Sequence, residues 1–574
     1  MEKYLILYFI VINLFLTIGY ENAEGCTIGV ASGDATDGRP LLWKTRDCTT
    51  YVDNKISYGA GENYNFIYVW DVNNGDGLAW MGMNEKGFAI VNSNAMDSTL
   101  LRHGNGSLMF EALGVCDTIG DFVALINSLS LPDHDIHANF GVIDRTGGAA
   151  MFEIGDSLYW RCDADSFIVR TDFFLYDTDI DSIPDSDGKK RFIRSMNLIG
   201  ELCADSSLNY RRILQDHMRD FSYPNSEPVD VPYPHQWIID RPFGYIKTKF
   251  SICRHISVSA TVIRGVKSNE LSRSTTMWTM LGQTAASIAV PYWSVGNPPD
   301  DADSLFDVAY QIKQCLFDYS DGRYIDSYKL RNEDGNGLWD QIYPVEEIIF
   351  DSTDSCLGNN PSESEMLEFE AEMAEYALSE LQQAFGVIDT MTIVADFTYQ
   401  CGESLTVCFR DRSLHNPTMW EWDFNNDGTV DSTVQNPEWT YDSCGTYIVS
   451  LTVTNSSGSS TKEDSITVGS TGIVDYKVIL IPEKPSLSQN YPNPFNPETT
   501  VRYLLPHECN IEVKIYNICG QLVRTLVNKP QKPGYHKVIW DGKDESSKNV
   551  SSGIYFYKMQ AEGYSAIRRA VLLR

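Results

Sequence analysis

The spacing of apolar positions changes character along the chain and divides it into three regions. Residues 26 to about 390 mix short alternating runs, such as "FAIVNSNA" (88–95), "HANFGVIDRTGGAAMFEI" (137–154) and "SFIVRTDFF" (166–174), with stretches at helical spacing. The clearest helix is predicted over 362–385, where Met366, Phe369, Met373, Tyr376 and Leu381 recur beneath an acidic face and serines stand ready to cap the start. This mixture predicts one large α+β domain. Over 395–468 helical spacing stops and period-two alternation takes over, as in "TYIVSLTVTN", with Gly, Asn and Ser at the turns, the pattern of a small β-sandwich. A linker at about 469–486 leads to residues 487–574, again of period two with Gly and Pro punctuation.

The N-terminus is different. "YLILYFIVINLFLTIGY" follows Lys3 and ends near the small-x-small triplet Ala23-Glu24-Gly25, so residues 1–25 are expected to be a signal peptide cleaved before Cys26. A membrane anchor is the rival reading, because the apolar run is long for a signal core. No later segment has the apolar length to span a bilayer. With 45 basic against 78 acidic residues the net charge is −33, which repels phosphate backbones and argues against nucleic acid as a partner. The 13 cysteines show no CxxC pair and no zinc spacing, and an exported chain can keep disulfides. Nucleotide-binding glycine fingerprints and a G-x-S-x-G elbow are missing from the sequence, and no cofactor is expected.

Three readings are open for Cys26. A lipoprotein cysteine wants a Leu-like residue three before it and a small one two before it, where this chain has Ala23 and Glu24. A disulfide cysteine is the plainest reading. The third is an N-terminal nucleophile: cleavage before Cys26 would leave a thiol and an α-amine on one residue. That amine, of pKa near ~8, is suited to take the thiol proton near neutral pH. Chemistry of this kind requires processing to coincide with the nucleophile.

"CTIGVASGDATDGRPLLWKTRD" (26–47) resembles the start of the N-terminal nucleophile (Ntn) cysteine hydrolases. The nearest branch is the isopenicillin N acyltransferase-like amidases, with choloylglycine hydrolases and penicillin V acylases as relatives. The resemblance implies an αββα four-layer sandwich over 26–390, with Cys26 as nucleophile and base and Asp47 beside its amine. Lys44 stands where relatives carry Arg or Gln, and the resemblance implies that it keeps a positive donor there in contact with substrate. "MGMNEKGFAIVNSNA" (81–95) puts Asn94 at the oxyanion hole, and "KKRFIRSMNLI" puts the last catalytic arginine at Arg191, with Arg194 close by. "SFIVRTDFF" departs from the pattern, with Asp172 in place of an Asn. An ionised carboxylate there would oppose an oxyanion, so Asp172 is protonated, displaced, or set against a positive part of the substrate. The implied activity is hydrolysis or acyl transfer at a linear amide C–N bond. A dipeptidase of the related Ntn family is the alternative within the class; a catalytically dead scaffold serving surface adhesion is the alternative outside it.

"MWEWDFNNDGTVDSTVQNPEWTYDSCGTYIVSLTVTNSSG" resembles the PKD family of immunoglobulin-like modules. Residues 487–574, with Tyr491-Pro492-Asn493-Pro494-Phe495-Asn496 and Trp540-Asp541-Gly542, resemble the C-terminal sorting domain of the type-nine secretion system, a FlgD-like sandwich. That likeness implies export through the periplasm to the surface or medium, with the secretion machinery as partner. Asp423, Asn425, Asp427 and Asp431 are a candidate Ca²⁺ ring, against the plainer reading of an Asx-rich turn. His134 and His137 among acids read as a solvated loop before a metal pair.

Overall fold

The short alternating runs of the first region pair into two antiparallel sheets that share one apolar interior. The computed structural model describes residues 25–49, 52–72, 77–95, 104–129, 134–176, 178–223, 228–233, 242–317, 319, 322–401, 405–469, 486–487, 490, 495, 497–505, 509–518, 520–531, 534–546, 548–561 and 564–572. Residues 1–24, where a signal peptide is expected, 470–485 of the expected linker, and all of the Tyr491–Asn496 run except Phe495 lie outside the described residues.

Strands β1 (Thr27–Ala31) and β2 (Leu41–Asp47) form the opening hairpin. A seven-stranded meander follows in chain order: β3 (Asn54–Ala60), β4 (Asn65–Asp71), β5 (Met81–Asn84), β6 (Ala89–Asn94), β7 (Ala138–Ile143), β8 (Ala149–Ile154) and β9 (Tyr159–Asp163). The chain then returns as β10 (Phe167–Arg170) to the free side of β1. After a short strand β11 (Tyr245–Lys247), strands β12 (Ser257–Arg264), β13 (Thr276–Leu281) and β14 (Val290–Tyr292) complete the first sheet in the order β10-β1-β2-β12-β13-β14. β15 (Tyr324–Asp326) pairs with β11.

Four layers result. Ile28, Val30, Leu42 and Trp43 of the first sheet share a core with Val91, Ile143 and Met151 of the meander. The meander's outer face, with Phe88, Ile90, Phe140 and Phe152, lies under α1 (Gly104–Val115) and α2 (Ile119–Ser128). The other side of the first sheet is covered by α3 (Asp187–Ala204), α4 (Asp301–Leu316), α5 (Leu338–Gly358) and α6 (Glu363–Asp389). Close packing of the sheet depends on Gly29, which faces Trp43 across the hairpin: a Cβ there would run into the Trp43 indole.

Helix α6 is the predicted acidic helix. Ser362 caps it in a reciprocal box with Glu365. Met366, Met373 and Leu381 are buried, while Phe369 and Tyr376 are half-buried at the edge of the stripe. Glu370 is also buried, accepting the Trp293 N–H, and burial holds its carboxyl well above the usual range.

Residues 393–574 form a second unit. Over residues 397–468 two three-stranded sheets close on Trp422, Phe409, Phe424 and Leu451. The Tyr441 hydroxyl donates to the Phe424 carbonyl at 3.0 Å. Asp423 accepts the Asn426 N–H at 2.7 Å and the Gly428 N–H at 2.8 Å, and Asp431 accepts the Phe424 N–H at 2.8 Å. These carboxylates therefore organise an Asx-rich turn, and among the described residues no group of three His, Cys, Asp or Glu converges as a metal site. From residue 486 on, a three-stranded and a four-stranded sheet enclose Trp540, Val513, Tyr557 and Met559. Among the described residues Cys26, Cys116, Cys162, Cys203, Cys253, Cys356, Cys408, Cys444 and Cys509 are free thiols.

Candidate active site

The ladders on either side of β1 place the first acids. Thr27 faces Thr45 on β2, and Ile28 faces Arg170 on β10. Carried back toward the start of β1, these registers set Asp47 level with Gly25 and Asp172 level with Cys26. A hairpin and a returning edge strand thus bring two acids, one local and one remote, to the same end of the sheet. All three of Cys26, Asp47 and Asp172 are buried.

Asp47 is held by groups from a distant part of the chain. Its Oδ1 accepts the Ser257 hydroxyl at 2.7 Å and its Oδ2 accepts Arg254 Nη1 at 3.2 Å. Arg254 also lies 3.7 Å from Asp187. Burial, and then the neighbouring Arg191 charge, lower the Arg254 pKa. Asp187 stands at the start of α3, so this guanidinium ties the end of β2 to that helix.

Asp172 is paired. Its Oδ2 accepts Arg191 Nη2 at 3.3 Å, and Arg191 is wholly enclosed. Among the described residues, the Nε and Nη1 of Arg191 and the Oδ1 of Asp172 are buried without a hydrogen-bond partner. Gly188 packs against Asp172 so closely that a Cβ would overlap the carboxylate. Of the three options the sequence left for Asp172, the geometry adds a fourth: its charge is met by this chain's own arginine. Arg194, the neighbouring candidate, is committed to Asp220 through bonds of 2.8 and 2.9 Å.

Gly25 lies against the same pair. A Cβ on it would collide with the Arg191 guanidinium and stand 2.7 Å from Asp172 Oδ2. A larger residue before Cys26 would have to displace the Arg191–Asp172 pair.

The meander grips the Cys26 end of β1 from across the interface. Ser93 Oγ is 3.2 Å from the Cys26 carbonyl and 2.7 Å from the Thr171 carbonyl. Asn139 Nδ2 reaches the carbonyls of Thr171 and Phe173 at 2.9 and 3.1 Å, pinning the backbone on both sides of Asp172. Asn94 follows Ser93, and strand alternation turns it toward α1. There its Oδ1 accepts Asn105 Nδ2 at 2.9 Å, while Asn105 Oδ1 accepts the His137 N–H at 2.9 Å. A backbone donor fixes the orientation of Asn105, Asn105 fixes that of Asn94, and the Asn94 amide N–H groups are left to donate. Ser93, not Asn94, is the β6 side chain bonded to Cys26.

Lys44, 1% exposed, donates to the Trp80 carbonyl at 2.9 Å and to Asn92 Oδ1 at 2.7 Å. It braces β2 against the meander, a different task from the substrate contact expected of it. His134 is exposed, and His137 is buried with Nδ1 3.1 Å from the Ala95 carbonyl, so the two do not form a pair. Ser93, Asn139, Arg254 and Ser257 were not singled out from sequence. Each lies far along the chain from what it holds, and short polar words such as "NSNA" and "CRHIS" carry no periodic signal.

Four layers in the order αββα, with a cysteine heading an inner strand of one central sheet, make residues 26–390 an Ntn-hydrolase fold. Residues 390–469 match the PKD domain and belong to that family, and residues 497–565 match the FlgD Ig-like domain. No curated protein matches the chain. Among solved structures, the PKD1 domain of the Vibrio cholerae metalloprotease PrtV is 34% identical, with 14% of this chain and 100% of that one covered and a TM-score of 0.13. A conjugated bile acid hydrolase variant from Clostridium perfringens is 10% identical, covering 45% of this chain and 89% of that one with a TM-score of 0.29. Penicillin V acylase from Agrobacterium tumefaciens is 12% identical, covering 47% and 85% with a TM-score of 0.27.

Proposed function

We propose that residues 26–390 are a cysteine amidohydrolase or acyltransferase of the Ntn type, acting on a linear amide C–N bond. The observation that carries this reading is the position of Cys26, buried at the head of β1 with Asp47 on one flank and the Asp172–Arg191 pair on the other. Cleavage of the Gly25–Cys26 bond frees the α-amine. The amine takes the thiol proton, and the sulfur attacks the substrate carbonyl. The resulting oxyanion is met by N–H donors, for which Asn94 is the candidate once its amide swings from Asn105 to the Cys26 side of β6. Collapse of the tetrahedral adduct breaks the C–N bond; the leaving amine takes the proton from the Cys26 ammonium, and a thioester remains. Water, deprotonated by the same α-amine, releases the acid; a second amine in its place gives acyl transfer. Asp47 orients the α-amine and is itself oriented by Ser257 and Arg254. Arg191 neutralises Asp172, so the departure from the usual Asn leaves no bare carboxylate opposing the oxyanion.

We propose export as well, on the strength of the second unit. The FlgD Ig-like match over 497–565 supports delivery through a type-nine secretion route to the outer surface or medium, with that machinery as the partner. No helix among the described residues is long and apolar enough to cross a membrane.

The test is turnover of a panel of linear amides, short peptides included, by the exported protein and by its Cys26→Ser and Cys26→Ala forms. Turnover by the natural protein and its loss in both variants supports the reading. Unchanged turnover in either variant refutes it.

A further inference from the structure

Behind Asp47, on the side of the first sheet covered by α4, lies a cavity of about 280 Å³ that the proposed chemistry does not use. Its floor is apolar and buried, with Val52, Phe306 and Phe317. Its rim is polar and exposed at Thr49 and Gln314. Between them sits Lys313, in the last turn of α4.

Lys313 is half-buried and makes no side-chain hydrogen bond or ion pair among the described residues. Burial lowers its pKa, and Asp47 only partly offsets this. Asp47 does not close on it, because both carboxylate oxygens are already held, by Ser257 and by Arg254. The negative end of the α4 dipole favours a cation here only modestly, and no anion among the described residues pairs with the ammonium. Such a group invites an anionic partner.

The cavity selects the kind of anion. One cation matches one negative charge, and the fixed charge of Asp47 nearby disfavours a dianion. The apolar floor calls for a hydrocarbon end. The volume is just under the roughly 300–1,000 Å³ typical of ligand pockets, so the guest is small. We propose that this cavity binds a small organic monocarboxylate, with its carboxylate on the Lys313 ammonium and its apolar end against Val52, Phe306 and Phe317. Ser257 lines the cavity and also donates to Asp47, so the two sites share a wall.

The test is calorimetric titration of the full exported protein with benzoate, benzyl alcohol and inorganic phosphate. Benzoate is expected to bind saturably, and benzyl alcohol and phosphate at least about tenfold more weakly. Lys313→Met is expected to weaken benzoate by about tenfold or more, whereas Lys313→Arg, which keeps the cation, stays within about threefold. The wild-type comparison stands whether or not the Met variant folds, and circular dichroism checks that variant. Benzoate binding that is absent, that benzyl alcohol or phosphate equals, or that persists undiminished in a folded Lys313→Met protein overturns the proposal.

Discussion

At the scale of single residues, the site is a set of polar groups each oriented by another. The Asn94 amide is turned by Asn105, and Asn105 by a backbone N–H of His137. If Asn94 donates to the oxyanion, Asn94→Ala lowers kcat by about 10²–10³-fold with KM little changed; steady-state kinetics on the best amide of the panel reads this. A drop confined to KM would assign Asn94 to ground-state binding instead. What the sequence made legible here follows chain distance. Cys26 and Asp47 lie on one hairpin, so a short motif carries both. Asp172 and Arg191 required a family resemblance, and the meaning of the Asp172 substitution needed its partner in view. Arg254 and Ser257 reach Asp47 from more than two hundred residues away, a separation that local pattern does not encode.

At the scale of elements, α6 was legible because a long period of 3.6 with a cap and an acidic face has one physical solution. Glu370 was not, since an acid inside the buried stripe looks like the solvated face until Trp293 is found donating to it. The helical segment after α3 carries a testable device. His217 is fully buried, its Nε2 2.8 Å from Ser195 Oγ on α3 and its ring edge-on to Trp43 of β2. Burial pushes its pKa down to about 4, against a small opposing pull from Asp220. The folded state therefore prefers neutral histidine, and the unfolded chain takes up a proton first as pH falls. The contribution is fully present above about pH 6.5 and is lost as pH drops toward about 4, amounting to about 3 kcal/mol. Urea unfolding at neutral pH and near pH 4.5 checks this. His217→Gln should lessen the acid sensitivity by that order, and an identical pH dependence in the variant would contradict the assignment.

At the scale of the whole molecule, the change of period from mixed to strictly alternating marked where the sandwiches begin, because a sheet with one buried face has no other way to write itself. The cores around Trp422 and Trp540 are separate clusters from those of the first 390 residues. The residues proposed for catalysis and their supports all precede residue 260, so a chain ending near Gly469 should keep its turnover per molecule while accumulating in the periplasm. Loss of activity in a folded truncation would make the tail part of the enzyme. The central claim is that Cys26 is a free N-terminal nucleophile, and intact-mass analysis of the exported protein tests it most directly. The account predicts a chain beginning at Cys26 with an unmodified amine, gaining one acyl group on Cys26 when quenched during turnover. A mature chain beginning elsewhere, or a lipid on Cys26, would contradict it.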